Sequence, residues 1–451
     1  MLLLKNISYL VTANSSNQII KNTSLLIENN LIKEINTSKK SADEIIDAEG
    51  MIVIPGLINC HHHTFQCLLR GRNDLQNKPI NEWINTVCNI TKKMNNEIFY
   101  YSALANMAEL LLYGCTTTTD MPYIVHNNNE DVFEQVLKAA KDISIRILLY
   151  RGSMSLSKKD GALFPDDVVQ ESEKIAKSSE YLIKNYHDNS PFAMQQIGLA
   201  PCNIFTSSQK DFENASKISQ KYNVLMQTHL SESEVENNYS LKKYHKRPLA
   251  YLQGFNWSGK KTSFAHCINV DEQEIDSLKK NKSNVVYCPI SNSRQPVGEF
   301  GIAPIYKMLK NRVNVGIGVD GSAGNDSSNL LDDLRFGRVI QGADKQSTYL
   351  SFEDTLRMGT INGAKLLNRE NEIGSIEEGK AADLALFNLN DNVEVTGTFL
   401  NPLSFLFANH TKRANFVIVN GKIVVRNGKL TTFREKLILK KLKKLSKQFM
   451  N

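Results

Sequence analysis

No stretch of the chain approaches the roughly 18 consecutive apolar residues that a membrane-crossing helix requires, so no spanning segment is expected. There is no CxxC pair, and seven cysteines are too few and too scattered for a disulfide scaffold. Together these absences exclude a thiolate zinc ribbon and point to free thiols in a reducing, cytoplasmic setting. The first residues, MLLLKNISYL, are interrupted by Lys5 and carry no secretion pattern.

Charge of one sign is also scarce outside the tail. The formal net charge is +7, but residues 434–451 hold seven Lys or Arg against the single acid Glu435. A nearly neutral body offers no nucleic-acid face. Within the tail, Ile438, Leu442, Leu445 and Phe449 recur at helical spacing, which predicts a basic amphipathic helix that docks its apolar stripe and solvates its lysines. Contact with anionic lipid or RNA is the alternative for that helix.

What is present is an ordinary globular composition, 41% hydrophobic and 22% charged, in more residues than one core usually organises. The start of the chain reads as short strands, with a turn at Asn29-Asn30. Near the far end, KAADLALFNL and ANFVIVNGKIVVRNGKL repeat the period-two pattern, with Asn420-Gly421 and Asn427-Gly428 as hairpin turns. A composite β-sandwich from residues 1–52 and 367–430 is therefore expected, bracketing a domain at 53–366 and followed by the basic helix at 431–451. Inside the bracket, apolar runs alternate with amphipathic segments, as parallel strands alternate with helices. Eight runs qualify: MIVIPGLINC, GCTTTTD, IRILLY, QQIGLAPC, VLMQTHL, TSFAHC, NVVYCPIS and VNVGIGVD. Eight units predict an α/β fold, a closed (β/α)8 TIM-type barrel.

The runs end in polar side chains, namely His61 and His63, Asp120, Arg151, Cys202, His229, His266, Asn292 and Asp320. A barrel gathers its strand ends on one face, where such folds do their chemistry. In PGLINCHHHTFQ, His61 and His63 are two apart and project to one side while His62 projects to the other. That step alone suits a hydrogen-bonded surface pair as well as a metal. THLSE adds His229, AHC adds His266 and VGIGVDGS adds Asp320, so that five of nine histidines, His62 included, fall at strand ends. Three imidazoles and a carboxylate match an open catalytic zinc site. The expected ligands are His61, His63, His229 and Asp320 around one metal per chain, with zinc favoured and iron or manganese as alternatives.

Zinc brings the pKa of its water to near 7, and Asp320 would orient that water and accept its proton. Hydrolysis at a ring amidine carbon also needs a proton for the ring nitrogen and for departing ammonia. Glu232, three residues past His229, can supply it provided the strand ends near His229. His266 either hydrogen-bonds the water or completes the coordination sphere. The remaining conspicuous residues take plainer roles. Cys60, Cys67, Cys115, Cys202, Cys267 and Cys288 read as packing thiols, Thr116 to Thr119 as strand material, and His126, His187, His245 and His410 as carrying no function.

PGLINCHHH, THLSE, AHC and VDGS, with the return GSIEEGKAADLALF, resemble the amidohydrolase superfamily over residues 20 to 430. The likeness is to the branch of guanine deaminase, S-adenosylhomocysteine deaminase and the triazine hydrolases, and most of all to 8-oxoguanine deaminase through HHHTFQ, ELLLYGCTT, RGSMSL, LAPC and DGSAGNDSSN. It implies one zinc on the four residues named, Glu232 and His266 as proton-transfer partners, and Gln66 as a ring-binding residue. Relatives with two metals commonly carry a bridging lysine after the fourth strand, and QQIGLAPC has none.

Two mouth loops depart from the pattern. SNSRQPVGEFGIAP is longer than usual, and DMPY stands where 8-oxoguanine deaminases tend to place a histidine. Such loops select substrates. Guanine, a pterin such as isoxanthopterin, or a triazine losing chloride or an amine thus stand beside 8-oxoguanine, and a non-catalytic binding barrel is the alternative of another class. Arg151 and Arg294 are candidates to bind an exocyclic oxygen and equally candidates for structural ion pairs. The expected partner is a small heterocyclic substrate, with no nucleic acid and no membrane span, and a homodimer is the default assembly.

Overall fold

The computed structural model describes all residues except 79, 127–130, 163, 295–300, 345–347, 391–400, 409–411 and 450–451. His410 and part of the loop after the seventh run therefore lie outside the described residues.

All eight expected runs contribute strands to one closed parallel barrel. In chain order these are β1 (Leu57–Asn59), β2 (Cys115–Asp120), β3 (Arg146–Ser153), β4 (Gln195–Pro201), β5 (Met226–Leu230), β6 (Thr262–His266), β7 (Asn284–Tyr287) and β8 (Asn314–Ile317). Each pairs with its sequence neighbour, and Ile317 opposite Asn59 closes the ring. Residues of β2 and β3 are buried along their whole length, as expected of strands covered by helices. That is why CTTTTD, although polar, sits inside: β-branched threonines suit the pleat.

One run is shared between two sheets. MIVIPGLINC divides at Pro55-Gly56: Met51–Pro55 pairs antiparallel with Leu384–Asn388, and only Leu57–Asn59 enters the barrel. The switch is made by consecutive backbone bonds, Gly56 N to Asp383 O and Leu57 N to Gly114 O.

Both termini build a single nine-stranded, mostly antiparallel sheet in which Leu384–Asn388 lies between Met51–Pro55 and Phe416–Val419. The hairpin turns fall where the sequence placed them, with Asn29, Asn420 and Asn427 in the left-handed region at φ 56, 49 and 51. Leu4, Ile7 and Leu10 from the N-terminal strand join Leu384, Leu386 and Ile418 from the C-terminal part in one apolar cluster separate from the barrel core. The strands of the two chain ends thus share a core, as a sandwich would, within one continuous hydrogen-bonded sheet.

The tail forms helix Glu435–Ser446, which buries Ile438 and Leu445 along helix Asn96–Leu112 and pairs Lys441 with Glu97 at 2.5 Å. Its lysines at 436, 440, 443, 444 and 447 face outward. Among the described residues no helix is long and apolar enough to cross a membrane. All seven cysteines are free.

Barrel and sheet are joined by a buried ion pair. Arg146, at the start of β3, reaches Asp383 at 3.1 Å and also donates to the carbonyls of Phe192 and Ala193, while Asp383 accepts from Asn420 N. Removing one partner of such a pair leaves a buried charge uncompensated. Asp383→Ala is therefore expected to lose about 3–5 kcal/mol of stability in denaturant unfolding.

Candidate metal and catalytic site

The barrel strand ends carry the site. β1 stops at Asn59, and His62–His63 then forms a two-residue bridge with Asp320–Gly321, which follows β8. This pairing brings HHH and VDGS side by side. Asn59 Oδ1 accepts from Val319 N at 2.9 Å, and Asp320 N donates to His61 O at 3.1 Å, tying the two crossings together. Glycine is required by closeness at 318, where a Cβ would lie 2.7 Å from His61 Cβ and 2.9 Å from its backbone nitrogen, while a Cβ on Gly321 would displace the end of the Gln66 side chain. Asp320 and His266 both have positive φ, 61° and 72°, a strained setting for non-glycine residues and one that recurs at functional sites.

Each inward imidazole is oriented by a partner on its far nitrogen. His63 Nδ1 donates to Met121 O at 2.8 Å, and His229 Nδ1 donates to Cys202 O at 2.7 Å. A carbonyl only accepts, so in the neutral rings Nε2 carries the lone pair. His61 Nδ1 lies 2.7 Å from Gln227 Oε1, while the Gln227 amide nitrogen donates to Cys60 O and Ser263 Oγ. That assignment makes His61 Nδ1 the donor as well. Its Nε2 is buried and has no hydrogen-bond partner among the described residues.

The inward atoms converge. His63 Nε2 is 3.3 Å from His229 Nε2 and 3.2 Å from Asp320 Oδ1, and His61 Nε2 is 3.5 Å from the same oxygen. Bonds of about 2.0–2.1 Å in a tetrahedral site put ligand atoms roughly 3.3–3.4 Å apart. The separations fit, and lone pairs facing a carboxylate oxygen without a proton between them are what a cation resolves. His61, His63 and Asp320 form one group able to hold a metal, and His61, His229 and His266 form another.

Burial drives His61 down to about 4 and His229 well below the usual histidine range, which keeps both neutral. Burial would push Asp320 up, but proton donation from His61 and His63 would outweigh it and hold the carboxyl well below the ordinary range; with both rings donating through Nδ1 instead, a cation at the convergence has to supply that charge. Its other oxygen accepts from Ser291 Oγ at 2.5 Å. His62, in contrast, turns away to Ser328 Oγ at 3.1 Å.

Above the convergence opens a cleft of about 120 Å³, walled by Trp83, Ile84, Tyr123, Phe164 and Phe205, with His63, Gln66, His229, Glu232, Glu236, His266 and Asp320 along its polar side. Glu232 reaches it because β5 ends at Leu230 and Ser231, at φ 47°, turns the chain. Burial raises the Glu232 carboxyl above its usual value. His266 Nε2 lies 3.8 Å from Glu232 Oε1, and its Nδ1 is 2.8 Å from Asn292 Oδ1. Burial lowers His266, but Glu232 and Asp320 outweigh that, so the net shift is upward. Gln66 is held between Tyr123 OH, to which it donates at 3.4 Å, and Ala323 N, from which it accepts at 3.2 Å.

Other expected positions fall elsewhere. Arg151 does not line the cleft: it faces the helical layer, where its guanidinium bonds to Gln170 Oε1 at 2.7 Å and Gly152 O at 2.9 Å and lies over the Phe133 ring. This corrects its expected substrate-binding place and favours the structural alternative. Arg294 pairs with Asp326 and donates to Gln76 Oε1 at 2.7 Å in a polar recess that shares only Trp83 and Gly324 with the cleft. Asp120 holds the turn after His63 by accepting from both Thr64 N and Thr64 Oγ1. Sequence reasoning missed Gln227, Ser291 and Glu236. Gln227 was legible, because it precedes His229 by two and shares its face of β5. The S-x-x-E spacing of Ser233 and Glu236 was legible only as a helix cap.

The amidohydrolase family pattern matches residues 52–424. The chain is 35% identical to 8-oxoguanine deaminase of Pseudomonas aeruginosa over 85% of its own length and 84% of that protein, and 32% identical to 5'-deoxyadenosine deaminase of Methanobrevibacter smithii over 93% and 92%. Its fold is similar to that of atrazine chlorohydrolase TrzN from Arthrobacter aurescens TC1, crystallised with zinc, at TM-score 0.93 and 28% identity over 99% of this chain and 100% of that one. Sequence, barrel and strand-end residues agree: the chain belongs to the amidohydrolase family and is a hydrolytic enzyme acting on C–N bonds.

Proposed function

We propose that this enzyme is a zinc-dependent deaminase of a nitrogen heterocycle, with 8-oxoguanine as its substrate. The observation that carries the metal is the convergence of the His61 and His63 imidazoles on one Asp320 oxygen, with His229 Nε2 beside His63 Nε2. Support for the substrate comes from the likeness to 8-oxoguanine deaminase and from a cleft with flat apolar walls and a polar side. His61, His63, His229 and Asp320 would hold one zinc, the set lacking any lysine of a two-metal site. Zinc supplies Lewis acidity that brings the pKa of water near 7.

The chain's own residues move the protons. Asp320, kept ionised by the cation it would share with its histidine neighbours, takes the proton released as water adds to the amidine carbon. Glu232, raised by burial, keeps a protonated fraction nearer neutrality than a surface glutamate and delivers it to the adjacent ring nitrogen. As the C–N bond breaks, the proton held by Asp320 goes to the amine, Glu232 regains a proton from the added hydroxyl, ammonia departs and a ring oxo group remains. His266, beside Glu232, stabilises the oxygen that forms, and Gln66 reads the ring edge. The similarity to a triazine chlorohydrolase supports a second possibility, loss of chloride from a triazine by the same addition.

An ammonia-release screen across oxidised purines, purines, pterins and triazines separates these. Release from 8-oxoguanine is the expected result, whereas chloride from a chlorotriazine with no ammonia from any purine would reject the deaminase. Metal analysis should return about one zinc per chain. Glu232→Gln should lower kcat by about 100-fold or more with the zinc retained. Gln227→Leu, which frees the His61 ring, should weaken zinc binding about 10–100-fold in chelator competition.

A further inference from the structure

Behind Glu232 stands a second carboxyl that the proposed reaction does not use. Ser233 caps helix Glu234–Tyr244, its side chain accepting from Glu236 N. In an ordinary capping box the glutamate at this position returns to the backbone N–H of the cap residue. Glu236 reaches one residue further back, and Glu232 N donates to its Oε2 at 2.9 Å. The turn that aims Glu232 into the cleft is therefore held by Glu236. The other oxygen, Oε1, is buried without a hydrogen-bond partner among the described residues, on a residue only 2% exposed. An ionised carboxylate with one oxygen bare in the interior is costly, and a neutral acid in the same place is far less so.

The surroundings favour the neutral form. Burial, with the Glu232 charge adding to it, pushes Glu236 up to about 8 against the opposing backbone of Glu232 and Ser231. The groups around it are Glu232 on its own turn, His266 from β6, and the thiols of Cys202 and Cys267, both raised by burial and so uncharged.

We propose that Glu236 is a positioning residue held as a neutral carboxylic acid, whose bond to the Glu232 backbone fixes the turn and whose neutrality leaves Glu232 the only carboxyl of the pair that ionises during turnover. Glu232 then cycles between its protonated and ionised forms without the pair bearing two negative charges in a buried place. This role rests on Glu232 being the proton donor, but its central claim is testable without any substrate.

The test is a carbon-13 NMR titration of the full-length, zinc-loaded protein labelled at the glutamate side-chain carboxyls. One signal should titrate between about pH 7 and 9, vanish in Glu236→Gln, and move down by about a unit in Glu232→Gln, where the neighbouring charge is gone. A Glu236 signal titrating near the ordinary glutamate value, or one unmoved by Glu232→Gln, would overturn the proposal whatever the substrate proves to be. Kinetics give a second readout. Glu236→Gln, neutral and still able to accept from Glu232 N, should keep at least about tenfold more kcat than Glu236→Ala at equal zinc content. If Gln is as damaging as Ala, neutrality is not what Glu236 contributes.

Discussion

The imidazoles of His61 and His63 meet at one Asp320 oxygen with that of His229 alongside, three lone pairs that repel one another, and most of the barrel's upper face is arranged to hold them there. Met121 O, Cys202 O and Gln227 each occupy the outer nitrogen of one ring, so none of the three can rotate its lone pair away. Ser291 holds the second Asp320 oxygen. The bridge between His62–His63 and Asp320–Gly321 then brings the first and last barrel crossings into contact, and Gly318, against His61, has no side chain to place between them.

The terminal sheet supports this face from a distance. Met51–Pro55 belongs to that sheet, yet the next residues enter the barrel and lead within a few positions to His61. The Arg146 and Asp383 pair anchors β3 to the same sheet beside the Gly56 crossing. A short, buried length of backbone thus links the sheet directly to the barrel's first strand.

The two arginines and two of the residues missed in the sequence show what residue order leaves open. Arg151 ends a strand run as His229 does, but a strand has two faces, and period two does not reveal which faces the cleft without a fixed reference. His229 had that reference in its partners, and Arg151 had none. Gln227 follows the His229 parity and could have been found by it. Glu236 could not, because S-x-x-E before a helix has an ordinary explanation and nothing local indicates that its carboxyl reaches past the cap residue to Glu232.

By itself the sequence determined the eight-strand barrel, the sheet shared by both chain ends and the strand-end positions of His61, His63, His229, His266 and Asp320. Periodicity, turn residues and chain order are local properties, and local pattern is enough to specify them. The direction of the Glu232 side chain, the neutral state favoured for Glu236, the retreat of Arg151 into the helical layer and the division of MIVIPGLINC between two sheets were decided only in the tertiary structure. Each depends on a neighbour distant in sequence, on burial, or on a single left-handed residue at a strand end, and none of these leaves a periodic trace.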